Sequence, residues 1–276
     1  MSRAEEPARD PGRERESSSD EEHTRSVSHE VEIEAPIEAV WDALTRAEEL
    51  ERWFPLEARV VPGEGGSIWM SWKNEYEGES AILAWEPPRL LRTTWGEPEG
   101  DQPGQVTTYT LESSGGSTTV RVVTSGFPTD SSWDEWVEGT RMGWRWELGS
   151  LKRYLEDHRG EDRTVAYLRR RAPVSREEAW SRLKEPEALG EDLLGGEPTD
   201  VDPPRQWAGV LDDPAGAYAR VSMEPCMTDS DARDVTIFAS AWGSPAADRL
   251  AEREPEWEEA LERAFPEGSW PDRKPE

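Results

Sequence analysis

The hydrophobic period of this chain changes at a single residue, Pro36. Before it, Val31, Ile33 and Ala35 alternate with Glu30, Glu32 and Glu34, which is the period-two pattern of a strand with one buried face. After it, Ile37, Val40, Trp41 and Leu44 recur at helical spacing, so a short helix with one buried stripe follows. A proline is best tolerated at or just before such a first turn. A half-buried strand that passes directly into an amphipathic helix needs a larger apolar surface to cover both.

The following residues supply that surface. A second short helical segment is expected at Leu50 to Phe54 (LERWF). The stretch from Ala58 to Ser125 is rich in Val, Thr, Tyr and Trp. It is cut by turn signals at Pro62 to Gly66, Glu86 to Pro88, Gly100 to Gly104 and Ser113 to Gly116, so it reads as a meander of hairpins. From Ser131 the period returns to helical, with Trp133, Trp136, Val137, Thr140, Gly143, Trp144, Leu148, Leu151 and Leu155 along one stripe. Strand, two short helices, antiparallel meander and long final helix together predict an α+β helix-grip fold. In that fold an antiparallel sheet wraps around the C-terminal helix and encloses a pocket.

The opening APIEAVWDALT, the Trp53-Phe54 pair, the Gly65-Gly66 turn, the EPPRLL step at Glu86 to Leu91 and the Gly143-Trp144 pair carry a resemblance. Residues 28–158 resemble the activator of heat-shock-protein-90 ATPase homologue family, within the START-like or Bet v 1-like (SRPBCC) helix-grip superfamily. The resemblance implies the fold, and a function drawn from ligand carriers, chaperone-associated proteins and cyclases or hydrolases.

The second half echoes the first. The stretch around Arg163 to Leu189 contains a strand pattern, Ala-Pro-Val and Trp-x-x-Leu, against the strand, Ala-Pro-Ile and Trp-x-x-Leu of His29 to Leu50. Trp180 and Leu183 then correspond to Trp41 and Leu44, and the next leucines are Leu189 and Leu50. Strand-like runs at Ala217 to Met223 and Val235 to Trp242 precede a helix-like run at Glu256 to Phe265. Residues 160–266 are therefore expected to form a degenerate, shortened helix-grip domain, with an unrelated extension packed on the first domain as the alternative. Residues 1–27 and 267–276 have too few large apolar side chains to offset their ordering entropy and are expected to be disordered.

Composition restricts the partners. The formal net charge is -28, divided as -3, -14 and -11 among residues 1–27, 28–158 and 159–276, and only Lys73, Lys152, Lys184 and Lys274 are lysines. Such distributed charge repels itself in dilute buffer and is relieved where molar salt shortens the Debye length to about 3 Å, so a salt-rich cytoplasm is expected. The one dense basic cluster, Arg169-Arg170-Arg171, reads as a solvated strand end, and nucleic acid is not an expected partner. No apolar run reaches the length of a membrane span, the N-terminus lacks a signal-like segment, and Cys226 is the sole cysteine. A cytoplasmic location follows as an expectation.

Catalytic signals are sparse. His23, His29, His158 and Cys226 have no metal-ligand spacing, Gly63, Gly65 and Gly66 read as a hairpin turn, and no catalytic residue, metal or cofactor is expected. Tryptophan is abundant instead, with fifteen in the chain and ten in residues 28–158. Aromatic side chains in a helix-grip cavity either fill it or line it around a ligand. Alternation places Ile68, Met70 and Trp72 on one face. With Trp53, Trp95, Tyr109, Phe127, Trp144 and Leu148 they form the expected lining for an apolar or aromatic small molecule. Gly143 is expected to let the helix approach the sheet. A chaperone-docking module is the alternative, and a cyclase- or hydrolase-like enzyme using Glu147, Arg141 or Tyr109 is a second one.

Overall fold

Pro36 sits at the N-cap of α1 (Ile37–Thr45), immediately after β1 (Thr24–Ile33). Its carbonyl accepts from the backbone N–H groups of Ala39 and Val40 at 2.9 and 3.2 Å. The computed structural model describes residues 24–72, 77–95 (Trp95 by its backbone alone), 104–185, 189, 193–226, 229 and 231–271. A second short helix, α2 (Ala47–Leu50), leads into a meander of six strands: β2 (Glu57–Val61), β3 (Ser67–Ser71), β4 (Glu77–Glu86), β5 (Leu90–Trp95), β6 (Gln105–Ser114) and β7 (Ser117–Pro128). The sheet order is β1-β7-β6-β5-β4-β3-β2, antiparallel throughout, with β1 paired to β7 from Thr24↔Pro128 to Ile33↔Thr118. A 3-10 turn at Ser131–Trp133 then starts α3 (Asp134–Asp157), whose 24 residues span about 36 Å at 1.5 Å each.

The second half has a strand, a short helix, four further strands and a helix. Strand β8 (Arg163–Ala172) is followed by α4 (Arg176–Leu183). Strands β9 (Glu197–Asp202), β10 (Gln206–Val210), β11 (Tyr218–Pro225) and β12 (Arg233–Trp242) come next, and α5 (Ala246–Ala264) closes the chain. The sheet order is β8-β12-β11-β10-β9, so in both halves the first strand pairs with the last strand of the meander. Leu44 and Leu183 are both buried after their short helices' tryptophans. Trp41 is 7% exposed, whereas Trp180 is half-buried against the second core.

Helix α3 lies between the two sheets. Val137, Trp144, Leu148, Leu151 and Leu155 face the first sheet as the periodicity predicts, while Trp146 stacks on Tyr218 of β11 with ring centroids 4.1 Å apart. On β12, Val235, Ile237, Ala239 and Ala241 pack into the second core, and the alternate residues Phe238 and Trp242 pack into the first. The layers therefore run first sheet, α3, second sheet, α5. The helix is apolar on two sides because it serves two sheets.

Several expectations change. The first strand begins at Thr24 and buries Val27, so residues 24–27 belong to the fold; residues 1–23 lie outside the described residues. Beyond residue 266, Ser269 exchanges backbone hydrogen bonds with Arg171 and Trp270 lies under Arg170, so this segment is tied to β8 rather than free; residues 272–276 lie outside the described residues. The Arg169–Arg171 cluster is structural: Arg170 is buried and donates to the Phe265 carbonyl, and Arg171 grips Asp234 through two bonds of 2.7 and 2.9 Å. Trp136 is 48% exposed and leaves the predicted stripe. Of the loop expected at Gly100 to Gly104, only Gly104 is described. The glycine turn holds: Gly63 and Gly65 have positive φ between β2 and β3, and a Cβ on Gly66 would lie 2.0 Å from the Val61 carbonyl oxygen.

Candidate functional site

The turn after α2 places two aromatic rings where the short helices, the sheet and α3 meet. Backbone N–H groups of Trp53 and Phe54 both donate to the Leu50 carbonyl, which curls residues 50–54 and turns the two side chains inward. Trp53 is 1% exposed. Its Nε1 donates to the Ala43 carbonyl at 2.8 Å and its ring stacks on Phe54 at 5.0 Å. Phe54 meets the edge of Trp72 at 5.2 Å and lies 5.9 Å from Trp144. Trp144 in turn meets Tyr109 edge-on at 5.7 Å, and its Nε1 donates to Thr124 Oγ1 at 2.9 Å.

These rings nearly fill the helix-grip cavity. A void of about 20 Å³ remains, bordered by Leu44, Leu50, Trp53, Phe54, Ile68, Met70, Ser80, Leu91, Thr93 and Tyr109. That is room for a water molecule or so. Among the nine residues expected to line a pocket, Trp53, Ile68, Met70 and Tyr109 border this void. Trp72 and Trp144 pack on Phe54 outside its lining, Phe127 and Leu148 are buried in the surrounding core, and the side chain of Trp95 lies outside the described residues. Leu91, Thr93 and Ser80 also border the void. Their inward positions on β4 and β5 follow from strand alternation, but their small or aliphatic side chains gave no separate signal. A Cβ on Gly143 would meet nothing within 4 Å, so this glycine makes no close approach; the tight glycine is Gly149, where a Cβ would lie 2.5 Å from the Tyr218 hydroxyl oxygen.

The backbone of residues 52–55, beside the void, is held by side chains from elsewhere. All four carbonyls of residues 52–55 accept such a bond: Arg52 from Trp242 Nε1 at 2.8 Å, Trp53 from Ser150 Oγ at 2.9 Å, and Phe54 and Pro55 from the Arg163 guanidinium. Trp242 also stacks on His158 at 5.1 Å, and Arg52 bridges Glu49 and Asp162. Two of the three donor side chains here, Trp242 and Arg163, come from the second half.

Electrostatics at this junction centre on Glu147 of α3. It is half-buried, and burial pushes its carboxyl up to about 8 against the pull of Arg163 and Arg220. Burial, with Glu147 nearby, also raises the Tyr109 hydroxyl above its ordinary range. Burial lowers Arg163 to about 10, opposed by Glu147 and Glu51. Arg141 is exposed and pairs with Glu138, away from the void's lining. Among the described residues no group of three or more His, Cys, Asp or Glu side chains is placed to hold a metal ion, and no helix is long and apolar enough to cross a membrane.

A sheet, two short helices and a long helix closing on one another are the parts of a helix-grip domain, and residues 34–156 match the family model described as Activator of Hsp90 ATPase homolog 1-like protein. The match covers residues 34–156, a little under half of the chain. Solved structures similar to the family domain include a protein of Mesorhizobium loti, 29% identical, covering 48% of this chain and 96% of that one with a TM-score of 0.42. The Aha1 dimer of Colwellia psychrerythraea is 21% identical over 49% of this chain and 99% of its own, with a TM-score of 0.44. CalU16 of Micromonospora echinospora is 24% identical over 49% and 78%, with a TM-score of 0.40. No curated protein matches the chain.

Proposed function

We propose that this protein is a non-catalytic protein-interaction module of the chaperone-associated kind, and not a carrier of an apolar or aromatic small molecule. The observation that carries this reading is the void of about 20 Å³. Drug-sized ligands occupy pockets of roughly 300 to 1,000 Å³, and here the candidate lining is spent on closing the cavity. The family description supports a partner of the Hsp90 class. We read residues 24–158 and 160–266 as two copies of one plan, the second shortened, because strand pairing and helix order agree in both.

Calorimetric titration with a purified Hsp90-class chaperone, in molar salt, should give saturable binding, and the chaperone's ATP hydrolysis rate should change with it. An environment-sensitive apolar dye should show no saturable one-to-one binding. Stoichiometric dye binding that quenches tryptophan fluorescence and is lost in Trp53→Ala would return the carrier reading to first place.

A further inference from the structure

The sheets end in the edge strands β1 and β2 of the first and β8 and β9 of the second, each with a row of backbone groups that no strand of its own sheet pairs. All but one are covered or blunted. Along β1, Lys152 Nζ donates to the Glu32 carbonyl at 2.7 Å, and just past its end the Glu34 N–H donates to Glu156 Oε1 at 2.7 Å. On β8, Arg171 exchanges backbone bonds with Ser269. Strand β9 carries Pro198, which has no N–H to offer, together with Asp200, Asp202 and a register shift against β10.

Strand β2 is left open past its first residues. A backbone bond of 2.9 Å joins Ile82 of β4 to Gly66 at the start of β3. Alternation along the antiparallel ladder then pairs Glu57, Arg59 and Val61 with β3 and turns the backbone of Ala58 and Val60 outward. The Ala58 N–H donates to Glu51 Oε1 at 2.9 Å, so one carboxylate stands where a neighbouring strand's carbonyl would; among the described residues no side chain takes that role at Val60. The outer face beside this edge is both apolar and acidic. Val61 is 60% exposed and Leu83 on β4 is 41% exposed, and the Arg59 guanidinium lies 4.2 Å over the Trp69 ring. Arg59 is the one basic side chain on β2, β3 and β4, against Glu57, Glu77, Glu79 and Glu86, with Glu64 in the turn between β2 and β3. These carboxylates are exposed, and none forms an ion pair among the described residues.

An open edge with apolar side chains beside it is a template for strand addition: backbone hydrogen bonds hold the added strand, and the neighbouring side chains select it. Charge selects the occupant here. A second copy would bring the same carboxylates, and the same net charge of -28, against this face. A segment with lysine or arginine at alternate positions would instead set its cations near Glu57 and Glu79 and its other side chains beside Ala58 and Val60. We propose, resting on the interaction-module reading, that β2 is the docking edge of this protein, and that its occupant is an extended basic segment of the partner, added to the first sheet as a further strand.

A synthetic peptide of about ten residues alternating lysine and valine tests the edge on the full chain, with an alternating glutamate and valine peptide as its control. The basic peptide should bind saturably at moderate salt, bind more weakly in molar salt, and slow hydrogen exchange at the Val60 amide; the acidic peptide should not bind. Val60→Pro removes the outward N–H and none of the ladder's own bonds, so the melt should stay cooperative while binding weakens about tenfold. Glu57→Gln combined with Glu79→Gln changes only exposed side chains and should weaken binding about two- to tenfold. A purified Hsp90-class chaperone then separates the edge from the partner class. Chaperone binding that both variants weaken supports the proposal. Chaperone binding that neither variant changes overturns β2 as the docking edge and keeps the interaction-module reading, whereas peptide binding at Val60 without chaperone binding keeps the edge and removes that class of partner. Equal or absent binding of the two peptides would overturn the proposal, as would a homodimer in sedimentation equilibrium that Val60→Pro dissolves, since the occupant would then be a second copy.

Discussion

The indole Nε1 of Trp242 donates to the carbonyl oxygen of Arg52 at 2.8 Å, although 190 residues separate them. Trp242 is 4% exposed and its ring stacks on His158, so one side chain joins the last strand of the second sheet, the end of α3 and the backbone beside the void. Trp242→Phe keeps the stacking surface and removes the donor, leaving the Arg52 carbonyl without this partner. The expected cost is about 1 to 3 kcal/mol, with Trp242→Ala at about 3 to 5 kcal/mol. Denaturant unfolding curves of the two variants check the order.

At Gly149, α3 lies against the Tyr218 side chain of β11. A Cβ there would stand 2.5 Å from the Tyr218 hydroxyl oxygen and 3.2 Å from the ring carbon that bears it. Gly149→Ala should gain helix propensity of about 1 kcal/mol yet lose more through displacement of Tyr218 from Trp146, for a net destabilisation of about 1 to 2 kcal/mol. Tyr218→Phe removes the clashing oxygen. Thermal melts of the double variant should recover part of the loss, while a simple helix-propensity effect would make Gly149→Ala stabilising.

Trp41 and Trp180, paired by the proposal that the second half is a shortened copy of the first, differ in their surroundings. Trp41 is buried and meets Trp85 edge-on at 5.2 Å, whereas Trp180 is half-buried. Trp41→Ala should therefore cost about 3 to 5 kcal/mol, and Trp180→Ala less than half as much. Equal losses in urea unfolding would mean that Trp180 is more enclosed than its surface exposure indicates.

The charge of -28 leads to a separate expectation. The melting temperature should climb steeply from tens of millimolar to molar potassium chloride, beyond the salting-out seen for a neutral protein of this size. A flat profile would remove the salt-adapted reading and leave an ordinary acidic protein.

Much of the first half was legible because local pattern and burial agree there. The Pro36 boundary, the inward face of Ile68 and Met70, the glycine turn after β2 and the sheet-facing stripe of α3 follow from periods of 2 and 3.6 residues. The second half was harder to read. Strands β9 and β10 gave no clear signal. Glu197–Asp202 is mostly exposed, Gln206–Val210 is only five residues long, and α5 starts ten residues before its apolar run because its first turns are charged.

Residue order alone determined which faces are apolar, where the chain turns and how many acidic groups must remain in water, because these depend on neighbours a few positions apart. What each face packs against was decided only by the tertiary structure. Periodicity marked Gly143 and passed over Gly149 and Trp146, because nothing nearby in sequence announces that Tyr218 will lie on α3. Whether the cavity is open was also decided there. The same ten lining residues could enclose a ligand or close on one another, and the difference rests on the turn at residues 50–54, pinned by donors more than a hundred residues away.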